Sequence, residues 1–248
     1  MLPYSDDIYS NVKNMLQCRT QYIKNKKNIE FEARMGIIDV SSGKFSPGCS
    51  KEDMENLLGK FERAQCGTFE VSGWEESCDT FFHAPGISSQ VRATSWGDSE
   101  KISYNCVNVV KTCISKIDTV SKQTPSLSWR IVLNIEQQLL TENLPTFVKP
   151  LYVRIKQRRS FTYMNPDKTV SWRYDLTLTW SGKNKHEAEK SQITNEPKYE
   201  FEIELVYAHD DVSIDYLTES MLLKMCDHLS DLKLAPSLSC VNKRQRTG

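Results

Sequence analysis

The sequence predicts a mainly β protein of the α+β class, an antiparallel barrel or sandwich flanked by helices. From about residue 68 to 205, short runs alternate apolar and polar residues at period two. Turn signals separate them at Pro85-Gly86, Asn165-Pro166-Asp167 and Ser181-Gly182. That spacing favours antiparallel pairing over βαβ units. Helical periodicity is confined to three stretches outside this region.

The first helix covers 6–24, with Ile8, Tyr9, Val12, Met15 and Leu16 near helical spacing. A strand follows over 29–38, then turns at Gly43 and at 46–48. Ser50 opens a second helix with Asp53 three positions on, an analogue of a capping box. Met54, Leu57, Leu58 and Phe61 form its apolar stripe. The strand runs are TFEVSGW, CDTFFHA, QVRATSW, KISYNCVNVV, SWRIVLNIE, YVRIKQRRSFTY, SWRYDLTLTW and YEFEIELVY. The polar stretch 181–198 reads as an exposed loop. Ser213 starts a third helix over 213–232, with Leu217, Met221, Met225 and Leu229 on its core side. The tail 241–248, VNKRQRTG, reads as disordered and solvated. With no internal repeat and no linker, residues 1–248 read as a single domain.

The 248 residues carry 32 basic and 32 acidic side chains, a formal net charge of zero. This argues against a generic nucleic-acid-binding surface but leaves room for a site with segregated potentials. No apolar run is long enough to span a bilayer, and the N-terminus lacks a secretion-signal pattern. Eight cysteines without a CxxC pair point to a reduced, intracellular chain.

Several strands place charge on one face. Glu30, Glu32 and Arg34 share a face, and so do Glu200, Glu202 and Glu204. Arg154, Lys156 and Arg158 form a basic row opposite Val153 and Ile155. Arg173, Asp175, Thr177 and Thr179 oppose Trp172, Tyr174, Leu176 and Leu178. Arg130, Asn134 and Glu136 oppose Trp129, Ile131, Leu133 and Ile135. A solvated face accounts for any one such strand, but solvated faces usually mix signs. A barrel with a charged interior and an apolar exterior under helices satisfies the whole pattern. Its glutamates would supply hard oxygen ligands for Mg²⁺ or Mn²⁺, and its Arg and Lys rows would bind phosphate oxygens. Carboxylates, a divalent cation and a cationic wall are the parts of phosphoryl transfer, with a triphosphate as the best-fitting substrate class.

ExE in the first strand, then RxKxR, RxDxT and a late ExExE, resemble the triphosphate tunnel metalloenzymes. The chain is most similar to the metal-dependent RNA 5′-triphosphatases of mRNA cap synthesis found in yeasts, protozoa and some DNA viruses. The resemblance spans about residues 29–207. It implies a closed antiparallel eight-stranded β-tunnel with the active site inside. It implies Glu30, Glu32 and Glu204 as direct ligands of Mg²⁺ or Mn²⁺, with Glu200, Glu202 and Asp79 as acidic support. Arg92, Lys156 and Arg158 correspond to the phosphate-gripping set, and Glu136 to the glutamate that positions the attacking water. Arg154, Arg173, Asp175 and Thr177 resemble wall positions, and Arg130 a basic wall position. Lys111 is the choice for a remaining phosphate-side lysine, with Lys116 as the alternative. Ser128 stands where an acidic residue is expected. The implied partner is the 5′-triphosphate end of RNA, and the implied location nuclear, or cytoplasmic for a viral protein.

His83, His186, His209 and His228 do not cluster, and no P-loop, dinucleotide fingerprint or nucleophilic triad is present. No lysine-nucleophile motif of a guanylyltransferase is evident, so that activity would reside in a separate protein. Competing substrates for the same fold are tripolyphosphate, thiamine triphosphate and free nucleotide. A non-catalytic polyanion-binding barrel would have no use for five glutamates on two strand faces.

Overall fold

A computed structural model describes residues 3–23, 29–39, 41–64, 69–96, 106–121, 127–140, 149–231 and 238–240. In chain order the elements are α1 (Asp6–Ile23), β1 (Ile29–Asp39), β2 (Lys44–Pro47), α2 (Lys51–Arg63), β3 (Phe69–Val71), β4 (Glu75–Phe82) and β5 (Val91–Trp96). There follow β6 (Cys106–Ser121), β7 (Ser128–Leu139), β8 (Tyr152–Met164), β9 (Val170–Gly182), α3 (Lys185–Thr194), β10 (Lys198–Ala208), α4 (Ile214–Asp231) and β11 (Leu238–Cys240).

The strands run β10-β9-β8-β4-β5-β6-β7-β1, and β1 pairs back onto β10. This closes an eight-stranded antiparallel barrel, the arrangement that removes exposed sheet edges. Short β2, β3 and β11 attach to β1, β8 and β6. One edge of β1 is shared: Glu32 to Arg34 pair with β10, and Gly36 to Asp39 pair with β2. Gly36 is needed at the changeover, because a Cβ there would sit 2.4 Å from the Ser46 carbonyl oxygen.

The hydrophobic core lies outside the barrel. Phe31, Trp129, Trp172, Phe201 and Ile203 point outward and pack with Ile8, Val12 and Leu16 of α1, Leu57 and Phe61 of α2, and Met221 and Met225 of α4. Phe61 stacks on Phe161 with ring centroids 4.9 Å apart and meets Tyr174 and Phe201. Burying each such side chain is worth about 1.5–3 kcal/mol, which ties the helices to the outer wall. His228 is buried among Phe61, Tyr174 and Phe201.

Local chemistry explains the helix starts. Ser50 Oγ accepts from the Asp53 backbone and the Asp53 carboxylate accepts from the Ser50 backbone, a complete capping box. Ser213 Oγ accepts from the Tyr216 backbone just ahead of α4. Residues 24 and 232, the side chain of Leu229 and the tail 241–248 lie outside what is described.

Two expectations are corrected. Within 181–198 the chain forms α3 rather than an exposed loop. Asn184 caps it by accepting from the Glu187 backbone, and buried Ala188 seats it against Val153, Ile155 and Trp180. A Cβ at Gly182 would meet the Ala188 backbone nitrogen at 2.4 Å, so glycine permits the close approach. The strand expected to end near Val110 continues to Ser121, with a register shift between Cys113 and Ser115 against β7.

Candidate active site

Side chains alternate along every barrel strand, so the faces opposite the outer core converge on the lumen. They line a cavity of about 350 Å³. Fourteen of its lining residues are charged, seven acidic and seven basic. In the closed circuit β5 stands opposite β10 and β8 opposite β7. The strand of Arg92 thus stands across the lumen from the β10 glutamates, and the strand of Arg154, Lys156 and Arg158 across from that of Glu136.

Register brings the acidic residues together. Glu32 on β1 is directly opposite Glu204 on β10, and Glu30 lies two residues along the same face. Glu200, Glu202 and Glu204 pair in turn with Thr177, Asp175 and Arg173 of β9. Asn134 donates to Glu30 at 2.8 Å and to Glu32 at 3.2 Å, linking the two glutamates of β1.

Most of these carboxylates are met by a cation. Lys111 Nζ lies 2.6 Å from Glu30 and 2.8 Å from Glu136, joining β1 to β7. Arg34 spans Glu32 at 2.8 Å and Glu202 at 3.0 Å. Arg173 spans Glu204 at 2.5 Å and Asp175 at 3.1 Å. Fully buried Asp79 pairs with Arg154 at 2.9 Å and with Lys156. Arg158 pairs with Asp175 at 3.1 Å, and Arg92 donates to Glu136 at 3.3 Å.

Burial and neighbours split the glutamates into two classes. Burial pushes Glu32 up to about 7, with Glu30 and Glu202 adding to it against the pull of Arg34. Burial likewise pushes Glu204 up to about 7, with Arg173 opposing and Glu30 adding. Burial also acts on Glu30 and Glu202, but Lys111, Asn134 and Arg34 together outweigh it at Glu30, and Arg34, Arg158, Lys156 and Lys111 outweigh it at Glu202. Both of these stay below the usual carboxylate range. Burial, with Arg154 alongside, pushes the Lys156 ammonium down to about 8.

The cavity gathers Glu30, Asp79, Arg92, Lys111, Glu136, Arg154, Lys156, Arg158, Arg173, Glu200, Glu202 and Glu204. Lys116 does not line it. Glu32 and Asp175 lie just behind the lining and contact it through Arg34, Arg158 and Arg173. Thr177 is buried opposite Glu200 and Arg158, its hydroxyl without a hydrogen-bond partner among the described residues. Arg130 stands apart from the cavity: it binds Asp118 at 2.6 and 2.9 Å and covers the Phe45 ring. Ser128 carries no acidic link, and Asp118 on β6 supplies the carboxylate for Arg130 instead.

Sequence reasoning assigned no role to Arg34, Asn134, Glu75 or Thr94, and took the tryptophans between charged positions mainly as outward packing, with base stacking at the tunnel mouth for a few. Period two carried onward from Arg92 puts Thr94 and Trp96 on the lumen face, so part of this signal was present.

The donor chemistry fits a hard divalent cation: three carboxylates on adjacent strands, two of them poorly neutralised. In the conformation described, no three His, Cys, Asp or Glu side chains among the described residues converge as a ready cation site. Glu30, Glu32 and Glu204 are turned instead to Lys111, Arg34 and Arg173.

No protein-family model matches the sequence, and no curated protein matches it. Solved structures do. The S. pombe Pct1 RNA triphosphatase in complex with the Spt5 CTD superposes with a TM-score of 0.63 at 15% identity, covering 92% of this chain and 93% of that one. The chain shares the fold of this RNA triphosphatase. Another structure of the S. pombe Pct1 RNA triphosphatase gives 0.58 at 16% identity, over 81% and 79% of the two chains. The Mimivirus capping enzyme triphosphatase gives 0.56 at 15% identity, over 92% and 100%. The tunnel of this chain is thus shared as architecture across weakly similar sequences. No helix among the described residues is long and apolar enough to cross a membrane.

Proposed function

We propose that the tunnel hydrolyses the γ-phosphate of triphosphate-ended RNA, leaving diphosphate-ended RNA and phosphate, the first step of mRNA cap synthesis. The observation that carries this is the lining itself, where a carboxylate cluster on β1 and β10 shares one small lumen with a cationic row on β5 and β8. The shared fold with RNA triphosphatases supports it.

Glu30, Glu32 and Glu204 would hold Mg²⁺ or Mn²⁺, with Glu200 and Glu202 as acidic support. The ion would polarise a phosphoryl oxygen and offset charge on the phosphate. Arg92, Lys156 and Arg158, with Arg154 behind them, take the phosphate oxygens and hold the chain in line. Glu136, carried on β7 between Arg92 and Lys111, orients a water and accepts its proton as the water oxygen bonds to the γ-phosphorus. The bond to the β–γ bridging oxygen breaks, and the cations neutralise the diphosphate that leaves. Asp79, Asp175 and Arg173 position these groups through their ion pairs.

The test is phosphate release from triphosphate-ended RNA with Mg²⁺ or Mn²⁺, beside tripolyphosphate and ATP, with Glu204→Ala as control. Release that survives Glu204→Ala, or that needs no divalent cation, overturns the assignment.

A further inference from the structure

Among the described residues the cavity lining contains a single aromatic side chain, Trp96. The other four tryptophans are elsewhere: Trp129, Trp172 and Trp180 are buried in outer packing, and Trp74 precedes β4 off the cavity wall. Along β5 the outward residues are Val91, Ala93 and Ser95, while Arg92, Thr94 and Trp96 point into the lumen. Trp96 is 47% exposed and makes no ring contact among the described residues. Its partner across the β4–β5 pair is Ser77, too small to cover an indole. Among the described lining residues, Thr94 on its own strand and Val107 paired with Thr94 are small as well.

A large indole at the end of a charged lumen is poor packing for stability, since its apolar faces stay wet. Its placement suits a flat ligand. Arg92 and Trp96 are four residues apart on one strand face, so their Cα atoms are separated by about 13 Å. That separation matches the run from a gripped terminal phosphate, through the inner phosphates and a ribose, to a base.

Building on the triphosphatase reading, we propose that Trp96 stacks on the base of the first RNA nucleotide and gives the tunnel its preference for nucleotide-borne triphosphate over inorganic polyphosphate. Every base offers a π face, so the stack selects a nucleotide without selecting its sequence. Among the described residues its strand neighbours Ser77, Thr94 and Val107 are small, which suits a base laid on the indole.

The experiment compares Trp96→Ala, Trp96→Phe and the unmodified protein on triphosphate-ended RNA and on inorganic tripolyphosphate. Trp96→Ala should lower kcat/KM on RNA by about 5- to 100-fold, chiefly through KM, and change tripolyphosphate by less than about twofold. Trp96→Phe should restore most of the loss. An equal fall on both substrates marks a structural role and overturns the proposal, as does an unchanged rate on RNA. A binding measurement separates this from the activity itself. Indole fluorescence is titrated with β,γ-imido ATP and with imidotriphosphate, in the unmodified protein and in Trp96→Phe. Quenching by the nucleotide alone, lost in Trp96→Phe, supports the stack even if the protein releases no phosphate. Quenching equal for both ligands, or none, overturns it.

Discussion

Glu32 and Glu204 stand directly opposite one another across the β1–β10 pair, yet each carboxylate is held by its own arginine. Arg34 takes Glu32 at 2.8 Å and Arg173 takes Glu204 at 2.5 Å. The two arginines fall short of full neutralisation, because burial still pushes both glutamates up to about 7.

Glu204→Gln should therefore abolish metal-dependent phosphate release while leaving the fold intact. Arg173 keeps Asp175 as a partner, so no cation is stranded. Without metal at pH 8, thermal melting should show Tm unchanged or raised by about 2–5 °C, since a buried like charge has been removed. A collapse in Tm would count against the electrostatic account.

The same two groups set a pH dependence. A carboxyl with a raised folded pKa binds its proton more tightly in the folded state. Its stabilising contribution is full below about 4.5 and is lost as pH rises through about 7. Asp79 and Glu202 act oppositely: their pKa values are lowered, so their contribution is present at neutral pH and lost in acid. The metal-free protein should lose Tm between pH 5 and 8, and Mn²⁺ affinity should rise across the same interval. Calorimetric titration at pH 6, 7 and 8 reads the second effect directly.

Asp79 is fully buried between Arg154 and Lys156. Asp79→Ala leaves two cations buried in the lumen without their carboxylate, a change that costs about 3–5 kcal/mol. Tm should fall by about 6–20 °C, measured by circular dichroism. Lys156, already pushed down to about 8 by burial, would lose charge further and weaken the grip on phosphate.

Arg92 and Arg130 provide a contrast on activity. Arg92 lines the cavity beside Glu136, whereas Arg130 is occupied by Asp118 and Phe45. Arg92→Ala should lower kcat about 100-fold or more, in the range for loss of a charge-stabilising donor. Arg130→Ala should stay within about threefold. Steady-state phosphate release on the two variants distinguishes them.

Much of the site was legible because period two assigns each strand residue to a face without knowledge of its neighbours. Glu30, Glu204 and Lys156 reach the lumen for that reason. Parity does not say how far along the barrel a residue sits, which is why Arg130, on the correct face, lies off the cavity with Asp118. The bridge from Lys111 to Glu30 and Glu136 depends on β6 lying beside β7, a fact of closure that no single strand carries. The shift between Cys113 and Ser115 changes the count along β6 and pairs Lys116 with Val132, on the face that carries Asn134 and Arg130; Lys116 stays off the lining because, like Asp118, it sits farther along the barrel than Lys111. Helix α3 was hidden for another reason. Only Ala188 of its ten residues is buried, so it has almost no apolar stripe, and its Asn184 cap was the sole local sign.

The outer core and the inner lining are borne by alternate residues of the same strands, as Phe201, Glu202, Ile203 and Glu204 display. Substitutions on one face leave the other largely untouched. Changes in length do not: deleting one residue from β10 would turn Phe201 and Ile203 into the lumen and the glutamates into the grease beneath α2 and α4. Such a chain can drift far in residue identity while its strand lengths stay locked, and its freedom to gain or lose residues lies in the connections between strands.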